Sequence, residues 1–367
     1  MDELVFGWRT ALLLLVFGQL VLAAILLMLR KFDRLANWIL AALLLVIGFA
    51  LIPQIIGFAG FYDSFPWLSF APFQVELLAG PLIWLYATAL TRGRLPHWVW
   101  LVLVPGAVDF LYQSYWFLQP FETRWERIGA FHSGFYWPAR TWLAIGLTYA
   151  GLFAAWRAYQ SHRQFINDYS SAAAEFDPRW LPVFLGICGV VLAAWSATEF
   201  TNSFITRLNY FDSYPLHVLV ALSFWGMGQA ALILQREAFP KITDVVDKNN
   251  PREPGRDWGR EADILRQRIR DENWHLEPRL SAPDLARRIG TNESYLSRTV
   301  NQGAGVNFNR FVNEIRVEAV KSSLQEGTND VLAAALDSGF NSKATFNRVF
   351  KEIAGQTPAA FRAENAV

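Results

Sequence analysis

Several polar side chains lie inside otherwise apolar stretches of the first 240 residues, among them Gln54, Gln74, Glu76, Asp109, Glu199, Asn202 and His217. An ionisable group surrounded by hydrocarbon is costly, and it faces a bundle interior or a wet cavity. Glu76, Asp109, Glu199 and His217 are therefore the candidate ligand or signalling residues, with a plain helix–helix polar clamp as the alternative. They do not form a catalytic set. The histidines His97, His132, His162, His217 and His275 lie far apart, with no i,i+4 pair to hold a metal. The single cysteine, Cys188, excludes an internal disulfide and any cysteine-based zinc or iron–sulfur site. Its apolar surroundings predict a small buried hydrophobe. There is no phosphate-binding loop or dinucleotide fingerprint and no nucleophile elbow. No enzyme activity, cofactor or metal is expected.

The elements that must position these groups are long and apolar. Of 367 residues, 53% are hydrophobic and only 18% charged. The charges are unevenly spread: residues 1–240 hold 14 basic and 14 acidic side chains, and the remaining 127 hold 19 and 18. Fourteen of the 16 tryptophans lie in the first part. Seven apolar runs fall in it: Thr10 to Leu29, Trp38 to Phe61, Phe70 to Leu90, Trp98 to Leu118, Thr141 to Ala158, Trp180 to Phe204 and Tyr214 to Leu234. Each approaches the roughly 20 residues that cross a bilayer, and none has the polar face of a soluble helix. Asp2 and Glu3 before a long first run argue against a cleavable signal.

Lys and Arg set the orientation. Arg30, Lys31, Arg34, Arg92, Arg94, Arg157, Arg163 and Arg179 fall on one side; Arg9, Arg124, Arg127, Arg140 and Arg207 fall on the other. The richer side is expected to be cytoplasmic, which places the N-terminus outside and the C-terminal part inside. Trp67, Trp98, Trp100, Trp137, Trp142 and Trp180 near run ends suit interfacial anchoring. The aromatic loop 119–136 is either a lid or an interfacial skirt. The expected division is a seven-helix transmembrane sensory domain over 1–236, a linker over 237–256 and a separate domain over 257–367. Pro240, Pro251, Pro254 and Gly255 make the linker irregular.

After Asp257 the pattern becomes spaced single apolar residues. Trp258, Leu265 and Ile269 recur at helical spacing. Ser281 caps a short helix with Leu285, Ala286 and Ile289 inward, Gly290 makes a turn, and Asn292 caps a second helix over Glu293 to Asn301. This is a helix-turn-helix pattern. It recurs with Val331 to Leu336, a turn at Gly339, and a helix capped by Ser342 and running to Ile353. A helix from Phe308 to Leu324 lies between the two, and its length could set two reading helices in successive major-groove faces. The fold class is all-α: a polytopic transmembrane bundle followed by an all-helical domain with two helix-turn-helix units.

The stretch from Val331 to Arg362 contains Gly-Phe-x-Ser-x-x-x-Phe-x-Arg-x-Phe-Lys and then Gly-x-Thr-Pro-x-x-Phe-Arg. It resembles the C-terminal signature of AraC/XylS-type transcription regulators. Ser294-Tyr-Leu-Ser-Arg-Thr-Val, with Arg316 and Ala319, is similar to the first half of that domain. The likeness covers roughly residues 258–362. Ala333 departs from it, where the family has a larger aliphatic, and is expected to weaken packing of the second unit slightly. The front end is similar, more loosely, to the membrane-embedded sensory variety of the family, and carries no ligand identity.

The resemblance implies a bacterial inner-membrane protein that reads double-stranded DNA from the second helix of each unit. In the first unit the readers would be Ser294, Ser297 and Arg298; in the second, Lys343, Thr345, Asn347 and Arg348. These residue types suit the task, since Arg and Lys pair with guanine acceptors, Asn with adenine, and the Thr methyl with thymine. Residues 279–362 hold 11 basic against 8 acidic groups, so phosphate attraction is modest. A homodimer or a second site on the DNA would supply the remaining affinity.

The first reading is thus a regulator that couples an unknown small-molecule or membrane-derived stimulus to gene expression. A second is a membrane enzyme or transporter with an appended regulatory helix-turn-helix. A third is a constitutive regulator merely anchored by its apolar part.

Overall fold

The computed structural model describes residues 6–123, 132–173, 180–209, 211–234, 241, 257–326 and 330–365. Of the described residues, 81% are helical and none lies in a strand. The chain divides into two compact units. One is built from Met1–Gln160 and Pro178–Lys241; the other from Ser161–Asp177 and Ile242–Val367. Arg124, Arg127, Arg179 and all of the expected linker except Lys241 lie outside the described residues, as does 124–131 of the aromatic loop.

The first unit contains α1 (Trp8–Met28), α2 (Arg34–Phe58), α3 (Ala79–Arg92), α4 (Val104–Phe117), α5 (Trp137–Tyr169, through Gln160), α6 (Trp180–Phe200) and α7 (Tyr214–Leu234). Each apolar run becomes helix, but the third and fourth are shortened. The third run starts as non-helical chain, where the Gln74 N–H donates to Gln113 Oε1 at 3.4 Å and the Gln74 carbonyl accepts from Gln113 Nε2 at 2.8 Å. The fourth opens with a 3-10 segment, Val99–Leu103, and Pro105 sits in the first turn of α4, where its missing N–H costs nothing. Among the described residues, four helices are long and apolar enough to cross a membrane: Trp8–Met28, Arg34–Phe58, Trp180–Ile205 and Tyr214–Ile233.

One core joins α1, α2, α3, α5, α6 and α7, with Leu13, Leu20, Leu40, Leu44, Tyr86 and Phe184 fully enclosed. Helices α3 and α5 cross almost backbone to backbone. A Cβ on Gly80 would lie 2.3 Å from the Leu147 carbonyl oxygen, and one on Gly151 would lie 2.1 Å from that of Gly80. Small residues permit this approach in apolar bundles. It fixes α5, and thus Arg140 and Thr148, against the start of α3. At the end of α7, the Arg30 guanidinium donates to the carbonyls of Ala231 (3.1 Å) and Leu232, satisfying helix-end acceptors. Trp180 departs from the expected interfacial role: it is buried against Tyr86 and Phe184, with ring centroids 5.5 and 5.8 Å away.

The second unit contains α8 (Trp258–Asp271), α9 (Ala282–Ile289), α10 (Glu293–Arg298), α11 (Phe308–Gln325), α12 (Val331–Asp337), α13 (Lys343–Ala354) and α14 (Pro358–Asn365), together with the chain from Ser161. It has two cores, and α11 serves both. Phe308, Phe311, Val312 and Ile315 pack with α8, α9 and α10; Val317, Val320 and Leu324 pack with Phe340, Phe346, Val349 and Phe350. Its 18 residues make a rod of about 27 Å. The second core is faced by Ala334 and Ala335; Ala333 is half-exposed and outside it, so its small size costs that core nothing.

Candidate nucleic-acid interface and buried polar centre

The two helix-turn-helix units are built by the same local chemistry. The side chains of Ser281, Asn292 and Ser342 accept from the main-chain N–H three residues on, at 3.3, 2.8 and 3.3 Å, and start α9, α10 and α13. Asp330 accepts from Leu332 and Ala333 N–H at 2.8 and 3.1 Å and starts α12. Each first helix ends on a left-handed glycine, Gly290 (φ 75°) or Gly339 (φ 90°). In both turns an N–H returns five residues: Thr291 to Ala286 (2.9 Å) and Phe340 to Ala335 (3.1 Å). The α10 helix is shorter than the sequence suggested, because the chain from Thr299 to Gly303 loosens into a π turn.

The expected readers lie on one helix in each unit. On α13, Lys343, Asn347 and Arg348 are exposed, while Thr345 is half-buried and its hydroxyl is 3.0 Å from Ser342 Oγ at the cap. Arg348 lies 3.7 Å from Glu352, a loose exposed pair that is easily surrendered. On α10, Ser294, Ser297 and Arg298 are half-buried, and Ser297 Oγ accepts from Asn301 at 3.0 Å.

Arg316, on α11, is 1% exposed and organises the unit behind these helices. Its guanidinium donates to the carbonyls of His275 (2.8 Å) and Glu277 (2.6 Å), to Asn313 Oδ1 (3.3 Å) and to Ser171 Oγ (3.1 Å). Ser171 belongs to the chain segment that follows α5. That segment is held by Leu280, whose carbonyl accepts from Ser171 N–H at 3.0 Å, and by Asn309, whose amide donates to the Ser170 and Ser171 carbonyls at 3.1 and 2.6 Å. The Arg316 cation also lies 5.9 Å from the Phe340 ring of the second helix-turn-helix. At Gly339 a Cβ would come within 2.3 Å of the His275 oxygen, so the second turn rests on the main chain that Arg316 binds. Burial lowers the pKa of His275, and the positive charge of Arg316 adds to this. Sequence reading found Arg316 through its family position but missed Asn309, Asn313 and Ser171, which carry no periodic or charge signal.

In the first unit, Glu76 and His217 line one cavity of about 140 Å³ between α2, α3, α5, α6 and α7. Asp109 stands behind it. Arg140 joins the two carboxylates, donating from Nη2 to Glu76 Oε2 at 2.7 Å and from Nε to Asp109 Oδ2 at 2.9 Å. Tyr136 OH and Gln113 Nε2 also donate to Asp109, at 2.6 and 2.8 Å. Glu199 is elsewhere, accepting from Ser203 at 3.1 Å. Arg140 is 6% exposed, so it is an internal ion-pair partner and not the loop charge counted for orientation. Its place one residue before the fifth apolar run was the available signal. Cys188 is buried, as its surroundings implied, and the structure adds that it lines the same cavity. Among the described residues no group of His, Cys, Asp and Glu could hold a metal.

Comparison with known proteins gives a class for the C-terminal part: residues 285–364 match the family model described as a helix-turn-helix domain. Two relatives illustrate the match. The chain is 36% identical over 90 residues to an uncharacterized HTH-type transcriptional regulator of Staphylococcus aureus (strain COL), covering 24% of this chain and 12% of that protein. It is 36% identical over 78 residues to the probable transcription factor PqrA of Proteus vulgaris, covering 21% of this chain and 64% of that protein. The chain thus spans about an eighth of the length of the first of these. No solved structure matches.

Proposed function

We propose that this protein is a membrane-bound, sequence-specific DNA-binding transcription regulator in which residues 1–236 sense a stimulus, 237–256 link, and 257–367 read DNA. The observation that carries the reading is the pair of helix-turn-helix units on one shared rod, α11, in a domain whose relatives are named as transcriptional regulators. Base contacts come from Ser294, Ser297 and Arg298 and from Lys343, Thr345, Asn347 and Arg348, with Arg298 and Arg348 carrying most of the discrimination. A good bidentate contact is worth about 1–3 kcal/mol.

Membrane residence is supported by the outward face of the first unit. Leu15, Phe153, Val183 and Val190 are each more than 60% exposed, an apolar surface that water does not favour. Helices α3, α4 and α5 complete seven passages, with the N-terminus outside and the DNA-reading domain in the cytoplasm. The stimulus acts on the Glu76–Arg140–Asp109 centre. Helix α5 carries Arg140 and ends one residue before Ser170, so it is the conductor to the Arg316 clamp. The regulator works as a homodimer.

Mapping of bound DNA in cells tests the reading, comparing wild type with the Arg298→Ala, Arg348→Ala double variant at equal abundance. The expected result is a set of enriched promoter sites that the double variant loses. Equal enrichment for both forms would remove the DNA-reading assignment.

A further inference from the structure

The walls of the cavity in the first unit are mostly hydrocarbon, including Leu51, Ile83, Val191, Leu192 and Phe224. Besides the Cys188 thiol and the Trp195 indole, three polar side chains reach it, Glu76, Thr148 and His217, and two of them are already engaged. The Thr148 hydroxyl donates to the Ala144 carbonyl at 2.7 Å. His217 Nδ1 lies 2.7 Å from the Ser213 carbonyl, which can only accept, so Nδ1 carries the proton. Nε2 lies 2.9 Å from the Gln54 side-chain amide, so both ring nitrogens already have a polar partner. Glu76 is different. Arg140 occupies Oε2, and among the described residues no donor reaches Oε1.

The formal charges do not cancel either. Two carboxylates, Glu76 and Asp109, share one guanidinium, Arg140. Asp109 is enclosed and takes donors from Tyr136, Gln113 and Arg140, so the surplus negative charge is presented to the cavity at Glu76. An uncompensated charge at membrane depth calls for a partner cation. An aliphatic cavity of about 150 Å³ accommodates a benzene ring.

We propose that this cavity binds a small organic cation, a primary ammonium on a benzene-sized apolar body, with the ammonium donating to Glu76 Oε1. The proposal rests on the reading of the first unit as the sensing part, and it adds the chemical class of what is sensed. Two sources share this chemistry, a soluble amine and the headgroup of an aminophospholipid.

The test uses the full chain in phosphatidylcholine nanodiscs, titrated with benzylamine, benzyl alcohol and phenylacetate in a calorimeter. Benzylamine is expected to bind at least tenfold more tightly than benzyl alcohol, and phenylacetate not at all. Glu76→Gln is expected to lose tenfold or more in benzylamine affinity. Ala50→Phe, which fills the cavity and leaves the carboxylates in place, is expected to abolish binding, and it decides the matter should Glu76→Gln fail to fold. Equal binding of benzyl alcohol and benzylamine, or undiminished benzylamine binding by Ala50→Phe, would overturn the proposal. Repeating the titration with phosphatidylethanolamine in the disc separates the sources. Competition identifies the lipid amine as occupant, its absence identifies a free amine, and both support the class. DNA binding by the same samples without amine is scored separately, so a failure to bind DNA defeats the regulatory reading alone.

Discussion

Arg140 and Arg316 are both buried, yet their surroundings answer the charge in different ways. Around Arg140, in the apolar unit, the partners are two carboxylates that arrive from separate elements, at Glu76 and Asp109. Around Arg316, in the helix-turn-helix unit, they are mainly main-chain and hydroxyl oxygens: His275 O, Glu277 O and Ser171 Oγ. The first arrangement overcompensates the cation and leaves a site that attracts another charge. The second spreads the cation over neutral dipoles and fixes the backbone that carries them. Thus the same side chain is answered by opposite charge in one unit and by neutral dipoles in the other.

The largest effect should come from Arg140→Met, which leaves the enclosed Asp109 and the cavity-facing Glu76 without their shared cation. Loss of one member of a buried ionic group costs about 3–5 kcal/mol. Thermal unfolding of the detergent-solubilised chain should show it, with Asp109→Asn recovering part of the loss in the double variant. An unchanged melt for Arg140→Met would mean that the centre is hydrated, and the contrast with Arg316 would fail.

Arg316→Met should be the next largest, about 2–4 kcal/mol, from several charge-assisted hydrogen bonds lost together. Here the loss should be local to the second unit. Hydrogen exchange is expected to accelerate in peptides around Leu280 and Ser171 and to stay unchanged in α1 and α2. Acceleration confined to α11 would separate the segment after α5 from the clamp.

The smallest effect concerns pH. Burial holds the imidazole of His275 below its ordinary 6.5. The unfolded chain therefore binds more protons than the folded one as pH falls through that value, and stability declines with it. The contribution is complete above pH 6.5 and is lost as pH drops toward the folded value. Pulse proteolysis in urea at pH 7.5 and 5.5 should find the second unit weaker at the lower pH, and His275→Gln should flatten the difference. No pH effect would show that His275 stays solvated and that Arg316 does not sense it.

What the sequence revealed follows from the range of each interaction. Ser281, Asn292 and Ser342 act on residues three positions away, and Gly290 and Gly339 act on their own turns, so both helix-turn-helix units were legible, whereas the Asp330 cap and the early end of α10 were not. Leu13, Leu40 and Phe184 were legible as members of apolar runs. The polar centre was legible only as separate residues. Nothing local says that Arg140 meets groups 64 and 31 positions away, or that Glu199 stays apart from them. The third run misled at its start, because Gln74 takes its main-chain partners from Gln113 instead of from a helix. Ala333 misled because its facing depends on the packing of α12, and Trp180 because an aromatic near a run end can equally turn inward.

The Arg316 joint also sets an order of events during synthesis. Ser171 is made 109 residues before Leu280 and 145 before Arg316, the groups that will hold it. At ribosomal speeds of about 5–20 residues per second, it waits on the order of 10 s without them. During that interval α6 and α7 must be made while Ser170 and Ser171 stay available. A polypeptide started at Asp257 would never receive them, so its buried guanidinium would lack an acceptor that only the earlier-made half of the chain can deliver.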